Sequence, residues 1–346
     1  MKKIINVMLF GLIFVSCKQS TLNKLEIKSI ETFPVNSSIR ALEVVNDTTV
    51  WFAGSDGIFG FTENKGSTWN IDSIKTENII PNFRSIAVTD KAVFLLNIAS
   101  PALLYKSIDK GKTWKIVYRE NDSSTFYDAM AFWDDKDGIA MGDPIDNCLS
   151  VIITNDGGNS WQKLFCDILP KVENGEAAFA ASNSNISLYK DNVWIVTGGK
   201  RARIFHSPDK GKTWQVFNTP IIQGGQMTGI FTADFYDESN GIIWGGDWNN
   251  KDLNTQNNAI TKNGGKTWEL LSDSTNPGYR SCVRYVPDTN GKQIIAVGIP
   301  GISYSNNGGK NWGALSKESF YTIRFGTSYK TAWVAGNNKI GKIVWK

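Results

Sequence analysis

The chain has 346 residues, with 37 basic and 33 acidic side chains for a formal charge of +4, 41% apolar residues and 13 tryptophans. So near-balanced a charge gives no electrostatic reason to expect a nucleic acid or an anionic membrane surface as a partner. The apolar and aromatic content is ample for a buried core, and a closed all-β repeat ring can hold this length as one domain.

The chain begins MKKIINVMLFGLIFVSC, two lysines and an apolar run from Ile4 to Val15 that ends on a small residue and Cys17. The run is too short for a stable membrane-spanning helix, so residues 1–16 read as an export signal. The FVSC ending resembles a bacterial lipoprotein signal, which implies acylation of Cys17 and a short tether over residues 17–24. Acyl chains would then anchor a soluble domain at the cell envelope, expected to face the periplasm. A plain signal peptide with an incidental Cys17 is the alternative.

From residue 25 onward the sequence follows strand grammar. The first stretch, LEIKSIETF (25–33), alternates like an outer strand. Then six units follow at about 37–73, 82–120, 125–167, 176–219, 227–272 and 279–316, each with strand-like runs and a strongly apolar third strand such as VWFAG (50–54) or IIAVG (294–298). Each unit carries one copy of a short box: TENKGSTW, SIDKGKTW, TNDGGNSW, SPDKGKTW, TKNGGKTW and SNNGGKNW, ending on Trp69, Trp114, Trp161, Trp214, Trp268 and Trp312. The tryptophans are 44 to 54 residues apart, the period of a four-stranded propeller blade. A last unit, 320–346, has three strands and lacks its outer one. The expected fold is therefore an all-β, seven-bladed propeller over 25–346, the last blade completed by the N-terminal strand. Six blades with a stray terminal hairpin is the alternative.

In each box the Asp or Asn can accept backbone hydrogen bonds, Gly supplies a positive φ, and Trp buries a large ring. The pattern resembles the Asp-box, or BNR repeat, of sialidases, sortilin and related propellers, and in that family these boxes are structural. The boxes together with the exported start also resemble the photosystem II assembly-factor family of propellers. That resemblance implies a fold and a tendency to bind partners, and no catalytic motif comes with it.

Aligning the innermost strands puts Arg40, Arg84, Asp128, Glu176, Phe231, Arg280 and Arg324 at comparable positions near the channel mouth. Four of the chain's eight arginines on one ring suggest a site for an anion or carboxylate. Local pairing of these arginines with Asp128 and Glu176 is the competing reading. Loops after the third strands add Asp143, Arg201, Arg203, Asp247 and Trp248 as further candidates. Cys148 and Cys166 lie symmetrically about Gly157, so a hairpin there would face them for a disulfide.

The expected role is a non-catalytic module that binds an envelope protein or a glycan, monomeric and membrane-associated only through its anchor. A sialidase-like or glucanase-like hydrolase is the alternative, using Asp128 with Glu176 or Asp143 with Asp247. Tyr127 and Tyr279, next to Asp128 and Arg280 in strands, should point to the opposite sheet face. With one histidine, His206, and no zinc spacing or dinucleotide fingerprint, no metal or cofactor is expected.

Overall fold

The computed structural model describes residues 24–76, 78–271, 276–327 and 330–346. The signal, Cys17 and nearly all of the tether lie outside the described residues. Among the described residues the regular elements are all strands. They form a β-propeller of six antiparallel hydrogen-bonded sheets.

Each sheet follows from its burial pattern. Strands in the middle of a sheet, such as Val50–Gly54, Val93–Asn97 and Ile294–Gly298, are buried at every position because neighbouring sheets cover both faces. Their continuous apolar runs reflect this. The outermost strands, such as Asn70–Ser73 and Gln215–Asn218, are exposed or half-buried.

The count of seven blades is corrected by the pairing of the two chain ends. Strand Ile27–Val44 is one continuous element of 18 residues. Its first part pairs with Ala332–Trp345, from Ile27 opposite Trp345 to Ser38 opposite Asn337, and its last part pairs with Val50–Gly54. The terminal unit therefore merges with the first unit into one six-stranded sheet instead of making a seventh. Four sheets have four strands, and a second six-stranded sheet arises where Glu176–Ala177 and Gly198–Gly199 join Thr228–Phe235. Nor is the terminal hairpin stray, since Ile30, Ile323, Val334 and Ile343 share one core.

The repeated turn fastens neighbouring sheets. In SIDKGKTW the Ser107 hydroxyl donates to Asp109 Oδ1 at 2.8 Å and accepts from the Gly111 amide at 2.8 Å, while Asp109 accepts from the Thr113 amide at 2.9 Å and its hydroxyl at 2.6 Å. These bonds, led by those from Thr113, hold the half-buried Asp109 carboxyl down to about 2. In its copy Asn64 Oδ1 likewise accepts from the Thr68 amide and Thr62 hydroxyl at 2.9 Å, while Nδ2 donates to the Thr68 hydroxyl at 2.8 Å, so the turn needs the side-chain oxygen and not the charge. Gly111 has φ +80, and a Cβ there would lie 2.8 Å from Phe59 of the preceding sheet. Trp114 packs edge-on against that same Phe59, with ring centroids 5.1 Å apart.

Cys148 and Cys166 form a disulfide, with Cα atoms 5.5 Å apart, that ties the loop after Gln162–Lys163 to the start of Cys148–Thr154. Cys282 is a buried free thiol. His206 is stacked on Trp194 and bonded through Nε2 to Asn192 Oδ1 at 2.8 Å.

Candidate functional site

The channel is not open. Residues 178–185, AFAASNSN, leave the sheet after Glu176–Ala177, run down the axis and rejoin a strand at Ile186–Tyr189. Small side chains make this possible, since Ala180, Ala181, Ser182 and Ser184 fit where inner strands converge and all are buried. Successive groups of the segment bond to different sheets. Arg84 donates to Ala180 O at 3.0 Å and Arg40 to Ala181 O at 3.2 Å. Arg324 donates to Ser182 O at 3.1 Å and to Asn183 O at 2.8 Å. Asn183 accepts from the Met130 amide at 2.9 Å and donates to Ile86 O at 2.8 Å, and the Ser184 hydroxyl donates to Thr232 Oγ1 at 2.8 Å.

Above this plug lies a cavity of about 340 Å³, lined by residues that include Arg40, Arg84, Asp143, Phe126, Phe179, Ala180, Ala181, Met227, Phe231, Trp248 and Tyr279. Its wall is an aromatic cluster. Phe179 stacks on Phe231 at 4.0 Å, Tyr279 meets Phe231 edge-on at 4.7 Å, and Trp248 meets Tyr279 edge-on at 5.4 Å. The Lys251 ammonium lies 4.3 Å from the Trp248 ring centroid, which covers that ring.

Arg40 and Arg84 sit at the floor and, among the described residues, neither has a carboxylate within ion-pair distance. Each makes one hydrogen bond, to the plug, and the Nε of each is buried without a partner. Arg40 also stacks over Tyr321 at 4.0 Å. Burial lowers the pKa of both guanidiniums, and for Arg84 the charge of Arg40 adds to burial, pushing it down to about 10. Both stay charged at neutral pH.

The remaining candidates divide. Asp143 lines the cavity, accepts from the Ala178 amide at 2.8 Å, and is pushed up to about 6 by burial. Asp128 is fully buried, and neither of its carboxyl oxygens has a hydrogen-bond partner. Burial and then the charge of Asp143 hold its pKa well above the ordinary range, against the pull of Arg84. Trp248 lines the mouth, whereas Asp247 accepts from the Asn249 amide at 2.8 Å beside it.

Three placements differ from the aligned ring. Glu176 is closed on Arg203, with Nη2 2.5 Å from Oε2, and also accepts from the Thr197 hydroxyl at 2.6 Å. Arg203 spends a further donor on Lys171 O at 2.8 Å, while Arg201 is exposed. Arg280 is bonded within its own surroundings, to Tyr279 O and Ser303 Oγ at 2.7 Å each. Arg324 lies further down the plug, bonded to Thr322 Oγ1 at 2.8 Å and 3.7 Å from Glu43. Tyr279 and Arg280 precede strand Cys282–Tyr285, and there Tyr279 lines the cavity while the Arg280 side chain bonds to Ser303. Tyr127 is buried between sheets, donating to Glu120 at 2.8 Å.

Sequence reasoning missed Phe126, Phe179, Met227 and the plug itself. The signal was present in AFAASNSN, a run of small and polar residues without strand alternation.

No protein-family model matches the chain, and no curated protein does either. Solved structures match along most of it. YCF48 bound to D1 peptide superposes with a TM-score of 0.66 at 15% identity, covering 93% of this chain and 99% of that one. The RRP9 WD40 repeats give 0.65 at 12% identity, covering 93% and 100%. The GH74 xyloglucanase from Xanthomonas campestris gives 0.63 at 11% identity, covering 92% of this chain and 55% of that one. At these identities the likeness is one of fold, and the fold is the β-propeller.

Proposed function

We propose that the protein is an exported, lipid-anchored propeller that binds an envelope protein or glycan at the Arg40–Arg84 mouth without catalysis of its own. The observation that carries this reading is a pair of part-buried guanidiniums in an aromatic cavity, neither of them paired with a carboxylate. Charge left unneutralised in a sheltered site favours an anionic group from outside. Among the neighbours by fold, YCF48 is seen with a bound peptide, which makes a protein partner the preferred occupant. On this reading Cys17 is the anchor, and the six boxes are Asp-box fasteners with no ligand of their own.

The test is capture of partners from a host envelope extract by the wild-type protein and by the Arg40→Gln/Arg84→Gln variant. The variant is expected to recover about tenfold less partner, as losing charge-assisted bonds of about 1.5–3 kcal/mol implies. Equal recovery by a variant with an unchanged melting temperature would remove the mouth as the site.

A second reading, glycan hydrolysis, rests on Asp143 in the cavity with Asp128 beneath it, and on the xyloglucanase among the fold neighbours. It predicts turnover of a β-glucan or sialyl substrate that Asp143→Asn abolishes. The pairs nominated from sequence do not serve it, because Glu176 is closed on Arg203 and Asp247 stands outside the cavity lining.

A further inference from the structure

The cavity's size and lining narrow the ligand beyond protein or glycan, given the mouth reading above. At about 340 Å³ it lies near the lower end of the ~300–1,000 Å³ range of ligand pockets. That leaves room for one compact group and not for a run of sugar rings. Its polar side chains are Arg40, Arg84, Asp143 and Gln226, against a wall of aromatic rings, alanines and Met227. A sugar would need a fan of donors and acceptors and an open ring face, and the Trp248 ring carries Lys251. An apolar body with one charged head meets both halves of the lining.

The head must be an anion that fits two guanidiniums, and the same cavity wall carries one carboxyl of its own. Asp143, on strand Gly138–Ile145, shares the cavity with Arg40 from Ile27–Val44 and Arg84 from Phe83–Val88. The Ala178 amide of the plug donates to Asp143, the Asp143 charge acts on Asp128 from Tyr127–Phe132, and Tyr279 shares the cavity lining. Burial pushes the Tyr279 hydroxyl up, and burial followed by the charge of Asp143 pushes Asp128 up. Asp143, the carboxyl in the lining, is pushed by burial to about 6.

We propose that the mouth binds a single carboxylate on an aromatic or branched apolar body about one amino-acid residue in size, and that Asp143 takes up a proton as this carboxylate settles between Arg40 and Arg84. Ionised Asp143 sets a second negative charge beside the incoming one. Protonated, it stops repelling and can donate a hydrogen bond to the ligand. The same chemistry is offered by a free aromatic acid and by the last residue of a peptide chain.

The test is calorimetric titration of the purified protein with N-acetyl-tryptophan and N-acetyl-tryptophanamide, and with a short peptide ending in Trp as the acid or the amide. The acids, ionised throughout because such carboxyls titrate near ~3.5, should bind at least about tenfold tighter than the amides at about pH 5.5 and should weaken about tenfold by about pH 7.5. Asp143→Asn should abolish that pH dependence while keeping the preference for acid over amide. Tighter binding of the free acid would assign the site to a small molecule, and tighter binding of the peptide acid to a chain terminus. Acid and amide binding alike, no binding by either, or a pH dependence that survives Asp143→Asn would overturn the proposal. If these ligands fail while Arg40→Gln/Arg84→Gln still loses its envelope partner, only this inference falls. If the partner is retained as well, the mouth reading falls with it.

Discussion

Asp128 carries an uncompensated electrostatic cost at the level of single residues. It is fully buried with no hydrogen-bond partner, and its pKa is held well above 3.8 by burial and by Asp143. The folded protein therefore keeps a proton that the unfolded chain releases above about pH 4. Its contribution to stability is complete below pH 3.8 and is lost progressively as pH rises toward its folded-state pKa, by at most ~1.4 kcal/mol per pH unit. Asp128→Asn should match the wild type near pH 4 and become the more stable protein as pH rises to 8. Melting curves across that range check this, and identical pH profiles would contradict it. Asp128 was legible in the sequence as an inner-strand carboxyl. Its isolation was not, because alternation gives the face of a residue and not what stands opposite.

Among the elements, the loop bearing Phe165 and Ile168 is held by the Cys148–Cys166 bridge, which closes 18 residues of chain. Closing a loop of that length restricts the unfolded ensemble by about 3 kcal/mol in the chain-entropy treatment. Changing both cysteines to serine should lower the melting temperature by several degrees, with the strand content unchanged by circular dichroism. The pairing could be proposed from symmetry about Gly157 because a hairpin is local. The plug at 178–185 could not be placed in this way. Glu176 was aligned as an inner-strand residue, but the chain after Ala177 leaves the sheet for the axis, and Glu176 turns to Arg203. That choice is made by small side chains meeting bonds from several sheets, a long-range fact that the local pattern does not carry.

For the whole molecule, the box copies announce the architecture because each unit repeats the same local turn and core. The number of sheets depends instead on the two chain ends, where Ile27–Val44 serves both Ala332–Trp345 and Val50–Gly54 and fuses two units into one sheet. Counting units therefore gave one sheet too many. Deleting residues 25–33 would expose the edge of Ala332–Trp345 and open the core around Leu25, Ile30 and Phe33. A drop in melting temperature of about 10 °C or more is expected from a loss of several kcal/mol, and an unchanged melt would contradict closure through this strand.

The central claim is that partners dock at the plugged mouth and not on the repeated turns of the rim. A photo-crosslinking residue placed at Met227, which lines the cavity, and separately at Ile108, 76% exposed on a turn, tests it directly in host envelope. The mouth account predicts a partner adduct from position 227 and none from 108; an adduct from 108 alone would contradict it.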